Sequence, residues 1–374
     1  MHFRPDQPFN HLPELPPPAE LETAPVLKAT TRASRALAEL KGRTHTIPNP
    51  EILLNTLALQ EAKLSSEIEN IFTTNDELYR GLAANGEGAD FSPHAKEVLH
   101  YRDALWHGMN TLRQRPFLST NLAIEIVNII KQNNAGIRNL PGTNLRNPTT
   151  GEIIYTPPEG EEVIRRKMAN LEQFCNDLES DLDPLVRVAV AHYQFEAIHP
   201  FFDGNGRTGR ILIILQLMVS RLLDLPILFL SRFIIERKPD YYQHLREVTE
   251  HGRWEPWLLY MLAAIEATAH GTTEKINAIQ RLLADTIAKA KAVLPRPVFS
   301  KELIELIFEQ PYCKIRFVEQ AGIAKRLTAT KYLRELEKAG FVVPVKRGTE
   351  LIFINHHLWR LLTDEPLTNA TSGK

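Results

Sequence analysis

Along most of the chain apolar residues recur three and four positions apart, the spacing of an amphipathic helix. Asn49 is an N-cap residue type, Pro50 suits a first helical position, and Ile52, Leu53, Leu57, Leu64, Ile68 and Ile71 follow at helical intervals, which predicts a helix over about 50–70. The same reasoning predicts helices near 94–114, 120–133, 160–178, 184–198, 206–223, 239–250 and 254–286, so the centre of the chain is expected to be all-α. Two stretches break the pattern. Residues 136–158, GIRNLPGTNLRNPTTGEIIYTPP, are rich in Gly, Pro, Asn and Thr around a strand-like run at 152–156, and read as a β-hairpin or extended flap. After Pro295 the order becomes helix 300–309, helix 315–321, helix 328–339, then apolar runs at 341–345 and 351–354 flanking Lys346-Arg347-Gly348-Thr349. Three helices followed by a hairpin are the order of a winged helix-turn-helix. Residues 1 to about 25 form a Pro-rich leading segment, and DEPLTNATSGK at the end reads as a frayed tail.

Composition narrows the class without choosing a function. A chain of 374 residues with 43% hydrophobic content has room for two or three domains with a sizeable core. Its net charge of −1 exerts no global pull on nucleic acid or an anionic membrane, so such a partner would have to be met by a local patch. Cys175 and Cys313 have no metal-ligand spacing and make no disulfide framework, which makes a reducing cytoplasm the expectation. The leading segment lacks the apolar core of a signal peptide. The most apolar stretch, 211–230, is interrupted by Gln216, Arg221, Asp224 and Pro226, so it reads as a buried helix and turn, with no membrane partner expected.

The densest chemistry lies at 199–210, HPFFDGNGRTGR. Gly204, Gly206 and Gly209 satisfy the letter of a dinucleotide fingerprint, but Pro200 and Asp203 stand where an apolar strand should run into the first glycine. A Walker A loop fails as well, because Gly209 is followed by Arg210-Ile211 in place of Lys and a hydroxyl residue. As an anion cradle opening a helix the segment is coherent. Main-chain N–H groups at Gly204, Asn205 and Gly206 can converge on phosphate oxygens, with the positive end of the helix behind them. Arg207 and Arg210, three apart, share a helix face and can reach a polyphosphate. Asp203 suits a Mg²⁺ ion shared with substrate phosphates, and His199 is the side chain here with a pKa suited to general-base work.

This segment resembles the signature of the Fic family, H-P-F-x-[D/E]-G-N-G-R-x-x-R, at every specified position. The resemblance implies a mainly α fold, with a Fic-fold helical core, a β-hairpin flap and a C-terminal winged helix-turn-helix. The implied layout is an N-terminal region 1–94, a catalytic core 95–290 and a C-terminal domain 291–374. Members of the family mostly transfer AMP from Mg-ATP to a Ser, Thr or Tyr hydroxyl of a protein. On that pattern His199 would deprotonate the target hydroxyl and Asp203 would hold Mg²⁺. Gly204, Asn205 and Gly206 would bind the α- and β-phosphates, Arg207 the β-phosphate and Arg210 the γ-phosphate, with Thr208 and Gly209 in the same nucleotide loop. The flap would align the target by β-augmentation through Ile154 and Tyr155, and Tyr241 and Tyr242 match a pair that often borders the adenine pocket.

Within the helix at 50–70, Ser65, Glu69 and Asn70 fit the family's inhibitory motif [S/T]-x-x-x-E-[G/N]. A Glu69 carboxylate paired with Arg210 would occupy the place of the γ-phosphate and leave ATP in a non-productive pose. Glu61 and Glu67 on the same helix are expected to be ordinary solvated acids. In the C-terminal segment 321–350, seven basic residues stand against three acidic ones, which fits DNA contact, while protein docking or dimerisation fits a winged helix equally. His356 and His357 are expected to point apart. The alternatives to AMP transfer are an ATP-sensing DNA-binding regulator, or a Fic enzyme that uses another donor or removes AMP.

Overall fold

The structure is a computed structural model that describes residues 3–44, 46, 49–84, 91–147, 149–347 and 350–363. The expected C-terminal tail and the Gly348-Thr349 turn lie outside the described residues. The fold is mainly helical, with 65% of the described residues in helix and a few short strands. In order the helices are α1 (Ala24–Thr44), α2 (Glu51–Ile68), α3 (Asn75–Ala84), α4 (Pro93–Gln114), α5 (Thr120–Lys131), α6 (Glu161–Asn176), α7 (Pro184–Ile198), α8 (Asn205–Val219), α9 (Ser231–Glu236), α10 (Lys238–His251), α11 (Trp254–Val293), α12 (Lys301–Glu309), α13 (Ile315–Gln320), α14 (Arg326–Lys338) and α15 (His356–Thr363). The strands are β1 (Leu145–Arg146), β2 (Ile153–Tyr155), β3 (Tyr312–Cys313), β4 (Val343–Arg347) and β5 (Glu350–Ile354). Two compact units result, one of Met1–Lys41, Glu61–Ile71 and His100–His270, the other of Gly42–Gln60, Phe72–Leu99 and Gly271–Lys374.

The first unit is built around α7 and α8. Helix α7 is buried on nearly every face, which places it at the centre of the layer of helices. Its start is set by Pro184 at the first helical position and by Asp183, whose carboxylate accepts the N–H of Leu185 at 2.8 Å. Trp257 of α11 is fully buried and donates its indole N–H to Ala189 O of α7 at 2.9 Å. Gly108 lets α4 approach α8, since a Cβ there would lie 2.7 Å from Leu215 Cδ1. Helix α8 stops at Val219, short of the expected 223, because Arg221 turns left-handed (φ 57°) and the N–H of Leu222 bonds to Leu217 O at 2.9 Å. It ends well before the apolar stretch does, and no described helix is long and apolar enough to cross a membrane.

The flap expected at 136–158 is present as an antiparallel pair, Leu145 opposite Tyr155 and Arg146 opposite Ile153. The Pro-rich leading segment lies across this region. Phe3 stacks on Tyr155 with ring centroids 6.0 Å apart, and the N–H of Phe9 donates to Thr156 O at 3.0 Å. Farther along, Leu15 and Asn170 of α6 exchange two hydrogen bonds, and Lys167 Nζ donates to Leu12 O at 2.6 Å.

In the second unit, α12, α13 and α14 precede β4 and β5, and the added strand β3 gives a sheet of order β3-β5-β4. Pro344 is tolerated because β4 is an edge strand. Asn355 locks the corner, donating to Ile307 O at 3.2 Å and accepting from the N–H of Leu358 at 3.1 Å. The expectation that His356 and His357 point apart is not met, for their ring centroids lie 3.9 Å apart. Both cysteines are buried free thiols, pushed up to about 12 by burial.

Candidate active site

The segment 199–210 joins the end of α7 to the start of α8. His199 is the C-cap of α7 in the left-handed region (φ 49°), its N–H bonded to Phe195 O at 3.0 Å. Gly204 (φ 84°) is the N-cap of α8, and a Cβ there would lie 3.0 Å from Val127 Cγ2. Asn205, the first residue of α8, staples the loop, accepting the N–H of Phe201 at 2.9 Å and donating to its carbonyl at 2.8 Å. The Asn205 side chain is thereby committed to shaping the loop, and its contribution to an anion is its main-chain N–H.

His199 is half-buried, with Nδ1 3.3 Å from Glu196 O. A carbonyl only accepts, so Nδ1 carries the proton and Nε2 keeps its lone pair. Burial, then the Arg138 guanidinium, pushes the imidazole down to about 4 against the opposing pull of Glu196 O, Glu69 and Asp203. Near neutrality the ring is an uncharged base.

Asp203 is exposed, and its carboxylate accepts from Gly204 N–H at 2.6 Å while pairing with Lys131 Nζ at 2.6 Å and Arg207 Nη2 at 3.7 Å. Burial of the group works against its charge, but Lys131, Arg207 and the Gly204 N–H together outweigh that and hold the carboxyl below its ordinary value. Among the described residues no cluster of three or more His, Cys, Asp or Glu surrounds it. A single accessible carboxylate fits Mg²⁺, which keeps waters and shares phosphate oxygens, and does not fit a metal caged wholly by protein.

The inhibitory-motif residues meet the cradle. Arg210, buried at 3% exposure, donates Nε to Ser65 Oγ at 2.7 Å and Nη2 to Ser65 O at 2.8 Å, and pairs with Glu69 Oε1 at 2.9 Å. Asn70 ends α2 with φ 63°, where Asn or Gly is favoured, while Ile71 N–H returns to Ser66 O at 3.0 Å. A Cβ on Gly206 would lie 2.3 Å from Glu69 Oε1, so the carboxylate sits directly against the first turn of α8. That is where a helix N-terminus receives an anion.

The remaining expected residues lie around this cradle and on the flap. Thr208 is fully buried, and Gly209 faces α7, where a Cβ would lie 2.4 Å from Glu196 Oε1; the residue serves close helix packing. Tyr241 is buried with its hydroxyl 2.8 Å from His192 Nε2, whereas Tyr242 is exposed beside it. Ile154 is half-buried, but Tyr155 turns inward and donates its hydroxyl to Ala197 O at 2.7 Å, so its side chain anchors the flap to α7 and does not face a target. Glu61 corrects the expectation of a solvated acid: it is 1% exposed, accepts from Ser231 Oγ at 2.6 Å and Tyr101 OH at 3.1 Å, and burial pushes it up to about 7. Glu67 pairs with Lys63 at 2.7 Å and is largely covered. Burial likewise raises Glu196 to about 7. Lys131 and Arg138 were not legible in the sequence as site residues, since neither falls in a local pattern.

Comparison with known proteins places the chain among Fic-like sequences and folds. Residues 27–110 match the Fic/DOC family N-terminal domain, 117–217 the Fic/DOC family domain, and 282–358 the C-terminal domain of SoFic-like protein adenylyltransferases. The protein adenylyltransferase fic-1 of Caenorhabditis briggsae is 34% identical over 112 residues, 30% of this chain and 21% of that protein. The protein adenylyltransferase Fic of Nematostella vectensis is 28% identical over 173 residues, 46% of this chain and 38% of that protein. The chain thus spans about a fifth of the length of the nematode relatives it matches. A Fic family protein from Desulfovibrio desulfuricans G20 superposes with a TM-score of 0.53 at 18% identity, covering 90% of this chain and 98% of that one. Fic-1 (aa134–508) of C. elegans gives 0.51 at 20% identity, covering 67% and 74%. At these identities the structural likeness is one of fold.

Proposed function

The chain belongs to the Fic/DOC family, and from that premise we propose that it is a protein adenylyltransferase that moves AMP from Mg-ATP to a Ser, Thr or Tyr hydroxyl of a protein and restrains itself through Glu69. The observation that carries the reading is the carboxylate of Glu69 seated between Arg210 and the first turn of α8, in the position of an anionic ligand. Nε2 of His199 takes the proton of the target hydroxyl, whose oxygen bonds to the α-phosphorus. The bond from that phosphorus to the oxygen bridging to the β-phosphate breaks, and pyrophosphate leaves. Asp203 would hold Mg²⁺, which neutralises phosphate charge when bound. The main-chain N–H groups opening α8 receive phosphate oxygens, while Arg207 and Arg210 take the terminal phosphates once Glu69 withdraws. The outer face of the flap, with Ile154, aligns the target chain.

The experiment is incubation of wild type, Glu69→Gly and Glu69→Gly/His199→Ala with ATP labelled in the α-phosphate and Mg²⁺, followed by mass spectrometry for a covalent AMP. Label on Glu69→Gly that disappears with His199→Ala is expected. Its absence from every form would favour an ATP sensor without transfer.

For the second unit we read the order α12-α13-α14-β4-β5 as a winged helix. Arg334 and Lys338 of α14 are already paired with Glu337 at 2.6 Å and Glu335 at 2.8 Å on their own helix, which favours docking of protein, including a second copy of the chain, over DNA. Salt-dependent gel retardation of duplex DNA would reverse that preference.

A further inference from the structure

Arg138, between α5 and β1, is 1% exposed; its guanidinium donates to main-chain carbonyls, with the Tyr155 and Glu159 side chains within electrostatic reach. Nε donates to His199 O at 2.7 Å, and Nη2 donates to Ile198 O at 3.2 Å and to Pro158 O at the far end of the flap. Its own N–H donates to Pro200 O at 2.9 Å. One buried cation therefore holds two consecutive carbonyls, those of Ile198 and His199, together with the segment that carries the flap back to α6, and the residue's own amide adds the carbonyl of Pro200. Only the rigid, many-donor fork of an arginine can do this; a lysine ammonium cannot span the set.

The site gives a reason for such a device. His199 has a left-handed backbone, which a side-chain-bearing residue keeps only when its surroundings over-determine it. It also stands at the negative end of α7, where unpaired carbonyls would favour a protonated imidazole.

We propose that Arg138 is a positioning residue for the transfer reaction, fixing the orientation of the His199 imidazole and tying it to the seat of the flap. The inference rests on the reading of His199 as the base. The guanidinium also places positive charge beside the ring, the second cause, after burial, of its low affinity for a proton.

The test compares Arg138→Met and Arg138→Lys, each in the full-length Glu69→Gly chain, by initial rates of auto-modification over pH and ATP concentration. In parallel, His199 of the same proteins is titrated by NMR on ¹⁵N-histidine. Arg138→Met, which loses both charge and donors, should lower kcat roughly 100-fold, the scale of a misplaced reacting group, with KM for ATP within about two-fold. Its His199 titration and kinetic pKa should both move up from about 4 toward the ordinary histidine value. Arg138→Lys keeps the charge but not the fork: kcat should fall about ten-fold with the titration unmoved. Parent-like kcat in either folded variant overturns the proposal, and if Arg138→Met does not fold, Arg138→Lys decides it alone. His199→Ala that remains active would instead remove the base assignment, while the NMR titration still reads the effect of Arg138 on the ring.

Discussion

Removing Glu69 tests the geometry most directly. Its carboxylate lies 2.9 Å from Arg210 Nη2, a separation at which unit charges attract by about 6 kcal/mol at an effective dielectric of ~20. Glu69 is 34% exposed, so solvent screens much of that, and the net value expected of a hydrogen bond to a charged group is about 1.5–3 kcal/mol. Glu69→Gly should therefore raise the initial rate of auto-modification at sub-saturating ATP roughly 10- to 150-fold, since each 1.4 kcal/mol is about a factor of ten. Glu69→Gln separates charge from bulk, because it keeps the size and one acceptor and removes the repulsion of a γ-phosphate. If charge competition is the mechanism, Gln releases most of the activity that Gly does. Wild-type rates in both variants, measured with α-labelled ATP against a silent His199→Ala control, would refute the reasoning.

Three further outcomes follow from the same site. Because the base form of His199 must be unprotonated and its pKa lies at about 4, the rate of Glu69→Gly should hold from pH 8 down to about pH 5 and fall only as pH drops through about 4; a break near 6.5 would contradict the environment described. Gly206→Ala would put a methyl group into the cradle, 3.0 Å from Arg210 Nη1 and against the flexible end of Glu69, so calorimetry should show ATP affinity reduced at least about ten-fold, with Tm shifted by no more than a few degrees. Glu61 holds its proton in the folded chain up to about 7 but releases it near its ordinary value when unfolded, so its contribution to stability is present below about 4.5 and is lost as pH rises through about 7. Glu61→Gln should therefore improve in Tm relative to wild type on going from pH 5.5 to pH 8, and a constant difference would show that Glu61 is not buried as an acid.

The parts legible in the sequence are those fixed by local chemistry. Pro184 and Asp183 announce the start of α7, and the glycines and arginines of 199–210 announce a cradle because their spacing alone brings them together. Ser65, Glu69 and Asn70 are legible for the same reason: one helical turn and a left-handed C-cap put them in register. What was not legible depends on contacts across the chain. Arg138 lies 61 positions from His199, and nothing in its neighbourhood distinguishes it from a solvated arginine of a loop. Glu61 sits on the same helix as Glu67, which pairs with a lysine near the surface, and only Tyr101 and Ser231 reveal that Glu61 faces inward. Tyr155 shows the limit of a two-residue strand period, because the aromatic ring follows α7 and the leading segment and not the exposed edge. Helices α1, α3, α9 and α15 have no counterpart among the expected elements, and of these α9 and α15 each offer under three turns of pattern to read.

The ring of Phe3 and the amide of Phe9 give the flap a tether about 150 positions away in sequence, and the Leu15–Asn170 exchange pins that tether to α6. If the flap aligns a target as proposed, a change in the leading segment would shift that hairpin while every hairpin residue stays unchanged. On that reading, a tag or truncation placed there is expected to change which proteins are modified while the rate of auto-modification is kept.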